Sequence, residues 1–292
     1  MESIILPANL DVSSVSYSAP RTLDNGGRSI YLSLNRAPIV LQTPEMVAPY
    51  GISNFNDDGK GPDKYSLDLS FKGKEARENL NTFFEKMSAL DRKLINDGME
   101  NSMTWLKKKY NSVDVVEALY STMVKFAKDK NTGEITDKYP PTFKLKLPMY
   151  NGVFACEAYD TKRNVLDIHE LIRSNSLKGA KVTAIIQCVG IWVVGTKFGC
   201  SWKVLQMRVS MPQALKGYAF KDLEEDKVEE SDIESDDDID ESNAVVNQAT
   251  NELSTLTVEN DADDDLIESS EDELEAPVVK KEVKKRVPKN KS

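Results

Sequence analysis

One histidine and three cysteines in 292 residues leave little room for several classes of chemistry. His169 has no Ser, Cys or second His beside it, so neither a nucleophile–base pair nor a zinc centre is expected. Its plain reading is a residue of a short helix. Cys156, Cys188 and Cys200 lack CxxC spacing, which argues against structural zinc and makes them small apolar core residues of an intracellular, reduced protein. Phosphate loops of the GxxxxGK[ST] or GxGxxG kind are missing. Asp57, Asp58 and Asp63 sit in a Gly- and Pro-rich loop without calcium-loop spacing and read as solvated. The first ten residues have no basic start and no long apolar run of the secretory kind. The most apolar stretch, 182–194, is too short for a bilayer and is interrupted by Thr183, Gln187 and Gly190. No cofactor, metal or membrane span is expected, and an enzyme ranks last among the readings.

Aromatic residues are absent after Phe220, and charge is divided sharply along the chain. Residues 1–220 carry 29 Lys and Arg against 23 Asp and Glu; residues 221–276 carry 2 against 24; residues 277–292 carry 7 against 1. The net charge of −10 therefore describes the tail and not the apolar-rich part. Too little apolar surface exists beyond 220 to offset the entropy of ordering a backbone, so 221–276 reads as a disordered acidic tail and 277–292 as a disordered basic terminus. Ser231, Ser235 and Ser270 each precede an acidic residue, a context for acid-directed kinases. The basic terminus resembles a nuclear-localisation or auxiliary nucleic-acid patch.

What remains is a domain over 28–220, preceded by an N-terminal extension, 1–27. Residues 29–41 are rich in β-formers with a bend expected at Ala37-Pro38, and Tyr65, Leu67, Leu69 and Phe71 alternate with polar residues as in a half-buried strand. The period then changes: Ala76, Leu80, Phe83, Phe84, Met87, Leu90 and Leu94 predict an amphipathic helix over 74–96, and a second helical stretch is expected over 102–128 with Ser112 as a cap. Strands are expected again at 143–147, 153–159, 181–194 and 198–209, with a brief helix in 165–177 and a tight hairpin at Gly195-Thr196-Lys197. That order favours a mainly β fold, a small closed barrel with a helical insertion over about 73–128, rather than a parallel sheet.

A groove for single-stranded nucleic acid needs cations along the phosphates and flat side chains under the bases. The C-terminal hairpin has Lys181, Lys197, Lys203 and Arg208 among Trp192, Phe198 and Trp202. Lys144 and Lys146 flank Phe143, and Arg28, Tyr31 and Arg36 lie on the first strands. Each aromatic can equally be a core residue. One parity along 198–209 holds Phe198, Cys200, Trp202, Val204, Gln206 and Arg208. Neither face is purely apolar, a pattern that suits a ligand-facing strand or a bulge. Lys107, Lys108 and Lys109 form a cluster whose default is a solvated helix face.

The inserted helical segment, the hairpin read as KVTAIIQ from Lys181 and FGCSWKVLQ from Phe198, and the acidic tail together resemble one family. It is the OB-fold single-stranded-DNA-binding family of tailed phages and, in divergent form, nucleocytoplasmic large DNA viruses. The resemblance covers residues 28–210. It implies a five-stranded barrel that coats exposed strands without sequence preference during replication, recombination or repair. The charge of the tail, by itself, suits a polyanion that competes for the DNA groove or docks replication proteins, or else a plain solubilising segment. If the chain is viral, residence in a host nucleus or cytoplasmic viral factory is expected; self-association stays open. In the phage relatives the acidic run ends the chain with an aromatic residue, whereas here basic residues follow. That departure sets aside tail-dependent dimerisation and polymerase docking while leaving groove binding untouched. The competing reading is a virion structural or scaffold protein with a solubilising tail.

Overall fold

A computed structural model describes residues 4–24, 26–56, 63–129 and 132–211; the acidic tail and basic terminus expected from composition lie outside the described residues. The chain is mainly β. We label its principal strands β1 (Arg28–Ile30), β2 (Val40–Gln42), β3 (Met46–Val47), β4 (Ile52–Phe55), β5 (Lys64–Ser70), β6 (Thr142–Leu147), β7 (Glu157–Asp160), β8 (Lys181–Val194) and β9 (Lys197–Ser210). Strands β8 and β9 form a long antiparallel hairpin. Its two-residue turn has Gly195 at φ 58°, where the first central position of a type II′ turn requires a positive φ. β9 pairs in parallel with β6, β6 antiparallel with β5, β5 with β3 and β4, and β8 with β2 and β3. The hydrogen-bonded neighbours therefore lead from β8 through β9, β6, β5 and β3 back to β8.

Strict alternation in β6 puts Phe143, Leu145 and Leu147 inside and Thr142, Lys144 and Lys146 outside, opposite Leu69, Leu67 and Tyr65 of β5. In β9 the parity changes midway. Ile185 pairs with Gln206 but Ile186 with Val204, so Leu205 is an extra residue; Trp202 and Val204 before it, and Met207 and Val209 after it, all point inward. The mixed pattern of 198–209 is thus a bulge.

The helical insertion is α1 (Glu78–Glu100), α2 (Ser102–Trp105) and α3 (Val113–Leu119), and α4 (Ile168–Arg173) follows β7. α1 buries Leu80, Phe83, Met87, Leu90 and Leu94, the stripe read from the sequence, although it starts after a 3-10 turn at Lys74–Ala76. The helix expected over 102–128 stops at Leu119. The buried Asp91 carboxylate accepts hydrogen bonds from the Tyr120 hydroxyl at 2.7 Å and from the Met123 N–H at 2.9 Å. Tyr120 and Ser121 meanwhile pair with Phe198 and Gly199, and Val124 and Lys125 with Phe143 and Thr142. Tertiary partners for the backbone outcompete helix propensity there.

Two further expectations shift. The bend expected at Ala37-Pro38 lies at Asn35 and Arg36, both at positive φ, and Ala37 and Pro38 pair with Leu34 and Ser33. The segment expected as an N-terminal extension contributes Leu10 and Val15 to the core. It is pinned to α1 by Lys86, whose ammonium donates to the Leu10 carbonyl at 2.8 Å, and by the Tyr17 hydroxyl on Asp97. Among the described residues no helix is long and apolar enough to cross a membrane.

Candidate nucleic-acid interface

Four of the expected stacking residues belong to the core. Trp202, Phe198 and Phe143 are at most 1% exposed, which leaves no ring face for a base. The indole N–H of Trp202 points to the Met123 sulfur at 3.0 Å. Phe143 packs edge-on against Phe83 of α1, ring centroids 5.4 Å apart. Phe198 meets α1 at Gly98, where a Cβ would come within 2.8 Å of the Phe198 ring; only glycine lets the helix sit this close. Trp192 lies across Gly199 and is likewise buried. The outer end of the hairpin is covered on both sides, so these rings are structural.

The expected cations separate into groups. Lys181 is ion-paired with Glu45 at 3.6 Å. Lys197 sits at the exposed hairpin tip, and Arg208 is exposed beside Tyr159 of β7. Tyr31 is exposed and follows β1, with Arg36 in the neighbouring exposed turn. Of these five, Arg208 shares the outward side of β9 with Lys203 and has Lys181 as a diagonal neighbour on β8; Lys197, Tyr31 and Arg36 lie towards the hairpin tip and the 35–36 turn. Lys144, Lys146 and Lys203 share one face. Lys146 is the register partner of Lys203 across the parallel β6–β9 pair, and Lys144 is two residues along β6 on the same outward face. Like charges set side by side on adjacent strands cost free energy, and an anion laid across them relieves that cost. Lys125 joins the same face as the partner of Thr142, its ammonium 2.7 Å from the Ser121 hydroxyl.

One carboxylate is embedded here. Asp68 stands across from Lys144; burial pushes its carboxyl above the ordinary carboxylate range, while Lys144 and Lys125 pull the other way. Asp68 also locates two aromatic residues that the sequence reading missed. Burial raises the Tyr50 hydroxyl above the ordinary phenol range, followed by the proximity of Asp68 and Tyr139. Tyr50 stands two residues before β4, whose Ile52 pairs with Leu67 beside Asp68, and Tyr139 three residues before Thr142 of β6, so the chain carries both tyrosines to the strands of the lysine face. Tyr50 is 47% and Tyr139 46% exposed, enough to offer a ring to a ligand. Tyr50 is carried on a loop tied to the end of the α4 segment by Ala48 N–H to the Ala180 carbonyl at 2.9 Å and Gly179 N–H to the Ala48 carbonyl at 2.7 Å. Tyr139 precedes Pro140 and Pro141, which stiffen its approach to β6. A signal for Tyr139 existed in the sequence: an aromatic residue before a Pro-Pro step that leads into the Lys144 and Lys146 strand.

His169 lies away from this face. Its Nε2 is 3.1 Å from the Gly152 carbonyl and its ring packs 5.0 Å from Phe154. Lys107, at φ 58°, Lys108 and Lys109 are exposed beyond α2 rather than on a helix.

The described residues thus define a mainly β protein with a compact basic face bordered by exposed tyrosines. A family model matches residues 73–222, and the chain belongs to that family, a family of unknown function (DUF5871). No curated protein matches the sequence. Among solved structures, the chain is similar to the single-stranded DNA-binding protein from bacteriophage Enc34 in complex with ssDNA. That match has 9% identity and a TM-score of 0.35, covering 68% of this chain and 94% of the phage protein. A second similar structure is gp2.5, a single-stranded DNA binding protein encoded by bacteriophage T7, at 10% identity and TM-score 0.35, with coverage of 63% and 98%.

Proposed function

We propose that this chain binds single-stranded DNA without sequence preference, through the outer face of β5, β6 and β9. The observation that carries the reading is the in-register pair Lys146 and Lys203, extended by Lys144 and Lys125 and flanked by the exposed rings of Tyr50 and Tyr139. Cations at strand spacing can follow a phosphate backbone, and a ring stacks on any base because every base has a π face, which gives affinity without sequence readout.

We infer further that the circuit of paired strands is a closed five-stranded barrel of the OB type, with α1 to α3 inserted before β6 and α4 before β8. Such closure leaves no open edge within the ring and holds Lys144 and Lys146 of β6 and Lys203 of β9 at fixed spacing. On this reading the protein coats and protects exposed strands during DNA replication, recombination or repair, as a binding protein rather than a catalyst. The 24 acidic residues of 221–276 act as a competing polyanion for the lysine face or as a docking element for partner proteins.

The test is fluorescence anisotropy of labelled oligo(dT) over a salt series, with the full chain, a Lys146→Glu/Lys203→Glu variant and a chain ending at Phe220. Expected are salt-sensitive binding by the full chain, weaker binding by the charge-reversed variant and tighter binding by the truncated one. No binding by any of the three, with circular dichroism showing each folded, overturns the reading.

A further inference from the structure

Cys188 and Cys200 lie on the two strands of the hairpin, and their sulfurs are 3.6 Å apart. Neither is in a disulfide. They are not direct partners: Cys188 pairs with Trp202, and Cys200 with Ile191. A register shift between Cys188 and Gly190 makes Val189 an extra residue, and such a bulge re-aims the side chains beside it. Cys188 is also held by its N–H on the Ile39 carbonyl at 2.9 Å. The sulfurs are therefore in contact through the architecture of the sheet, and a modest side-chain rotation would bring them to the ~2.05 Å of a disulfide. Cys188 keeps 8% of its surface exposed and Cys200 7%, an opening sufficient only for a small oxidant.

We propose that Cys188 and Cys200 form a reversible dithiol–disulfide couple, oxidised by a hydroperoxide. In the first step the sulfur of one thiolate attacks the terminal peroxide oxygen; an S–O bond forms, the O–O bond breaks, and the leaving oxygen takes a proton as water or alcohol. In the second, the other thiolate attacks that sulfur; the S–S bond forms, the S–O bond breaks, and hydroxide leaves to become water. The two thiols lose two electrons and two protons, and the peroxide is reduced by the same two electrons. The bridge would clamp the hairpin at the point where it leaves the ring of paired strands. Cys156, on the 156–160 segment and outside the hairpin, is the control thiol; burial pushes it up to about 11.

The full chain, reduced and then exposed natively to hydrogen peroxide, should lose two of its three alkylatable thiols when denatured in iodoacetamide. Tryptic mapping should find 182–197 linked to 198–203, dithiothreitol should restore all three thiols, and the oxidised form should melt at a higher temperature than the reduced one. Cys156→Ala should leave the link intact, whereas Cys188→Ala and Cys200→Ala should each abolish it. Three free thiols after oxidation of folded protein, or a bridge that uses Cys156 or joins two chains, overturns the proposal. A link that survives Cys200→Ala does the same.

Discussion

The two halves of the β8–β9 hairpin are continuous in hydrogen bonding yet differ in what surrounds them. Near the ring, β9 alternates: Lys203 and Arg208 outward, Val204 and Val209 inward. Towards the tip, Phe198 to Trp202 and Ile191 to Val193 are all buried: α1 packs on Phe198 at Gly98, while β1 pairs along the β8 edge and Tyr120 and Ser121 along the β9 edge. The same strand therefore contributes core at one end and an outward basic face, the one proposed to bind DNA, a few residues later. Tryptophan and phenylalanine, the residues with most stacking surface, fall in the covered half; Lys203 falls in the open half beside Lys144 and Lys146 of β6, and Lys197 stands apart at the tip.

The largest effect that would sharpen this contrast is expected in the covered half. Phe198→Ala should cost about 3–5 kcal/mol, the usual range for emptying a buried aromatic site, measured by urea denaturation, while the folded fraction binds DNA with unchanged affinity. A specific loss of DNA affinity at unchanged stability would instead make the tip part of the interface. In the open half, Lys146→Glu with Lys203→Glu should leave the melting temperature in place and flatten the plot of log affinity against log salt by about 1.4. That is the loss of two phosphate contacts at about 0.7 each. Tyr139→Ala should weaken oligo(dT) binding by about 1–3 kcal/mol with no change in unfolding midpoint; a drop in stability alone would return Tyr139 to a structural role.

The smallest expected effect concerns the join between the halves. Burial raises the Asp91 carboxyl to about 6, against the opposing hydrogen bonds from Met123, Tyr120 and Val124. A raised carboxyl binds its proton more tightly in the folded chain than in the unfolded one. Its contribution to stability is thus greatest below the ordinary carboxylate range and falls as pH rises through about 4 to 6. Melting temperatures over that window should fall less steeply in Asp91→Asn than in the unsubstituted chain, and identical slopes would show that another group titrates there.

Much of this was legible locally. The stripe of α1, the alternation of β5 and β6, the turn at Gly195 and the division of charge at about residue 220 all follow from neighbours a few residues apart. The helix expected over 102–128 was illegible past Leu119, because the acceptor that redirects Met123 is Asp91, 32 residues away in sequence. Tyr50 could not have been picked out beforehand, since only folding sets it beside Asp68. Lys144 and Lys146 were readable as one outward face of a strand, but their union with Lys203 needed the parallel pairing of β6 with β9.

The sequence by itself determined the stock of groups and their distribution: one histidine, three cysteines without CxxC spacing, a basic apolar-rich region and an acidic tail. Periodicity also set which residues of a strand share a face. Only the tertiary structure decided which of those faces is covered. Burial depends on what another segment lays over a strand, and α1 reaches Phe198 through Gly98, a contact across 100 positions that no local pattern encodes.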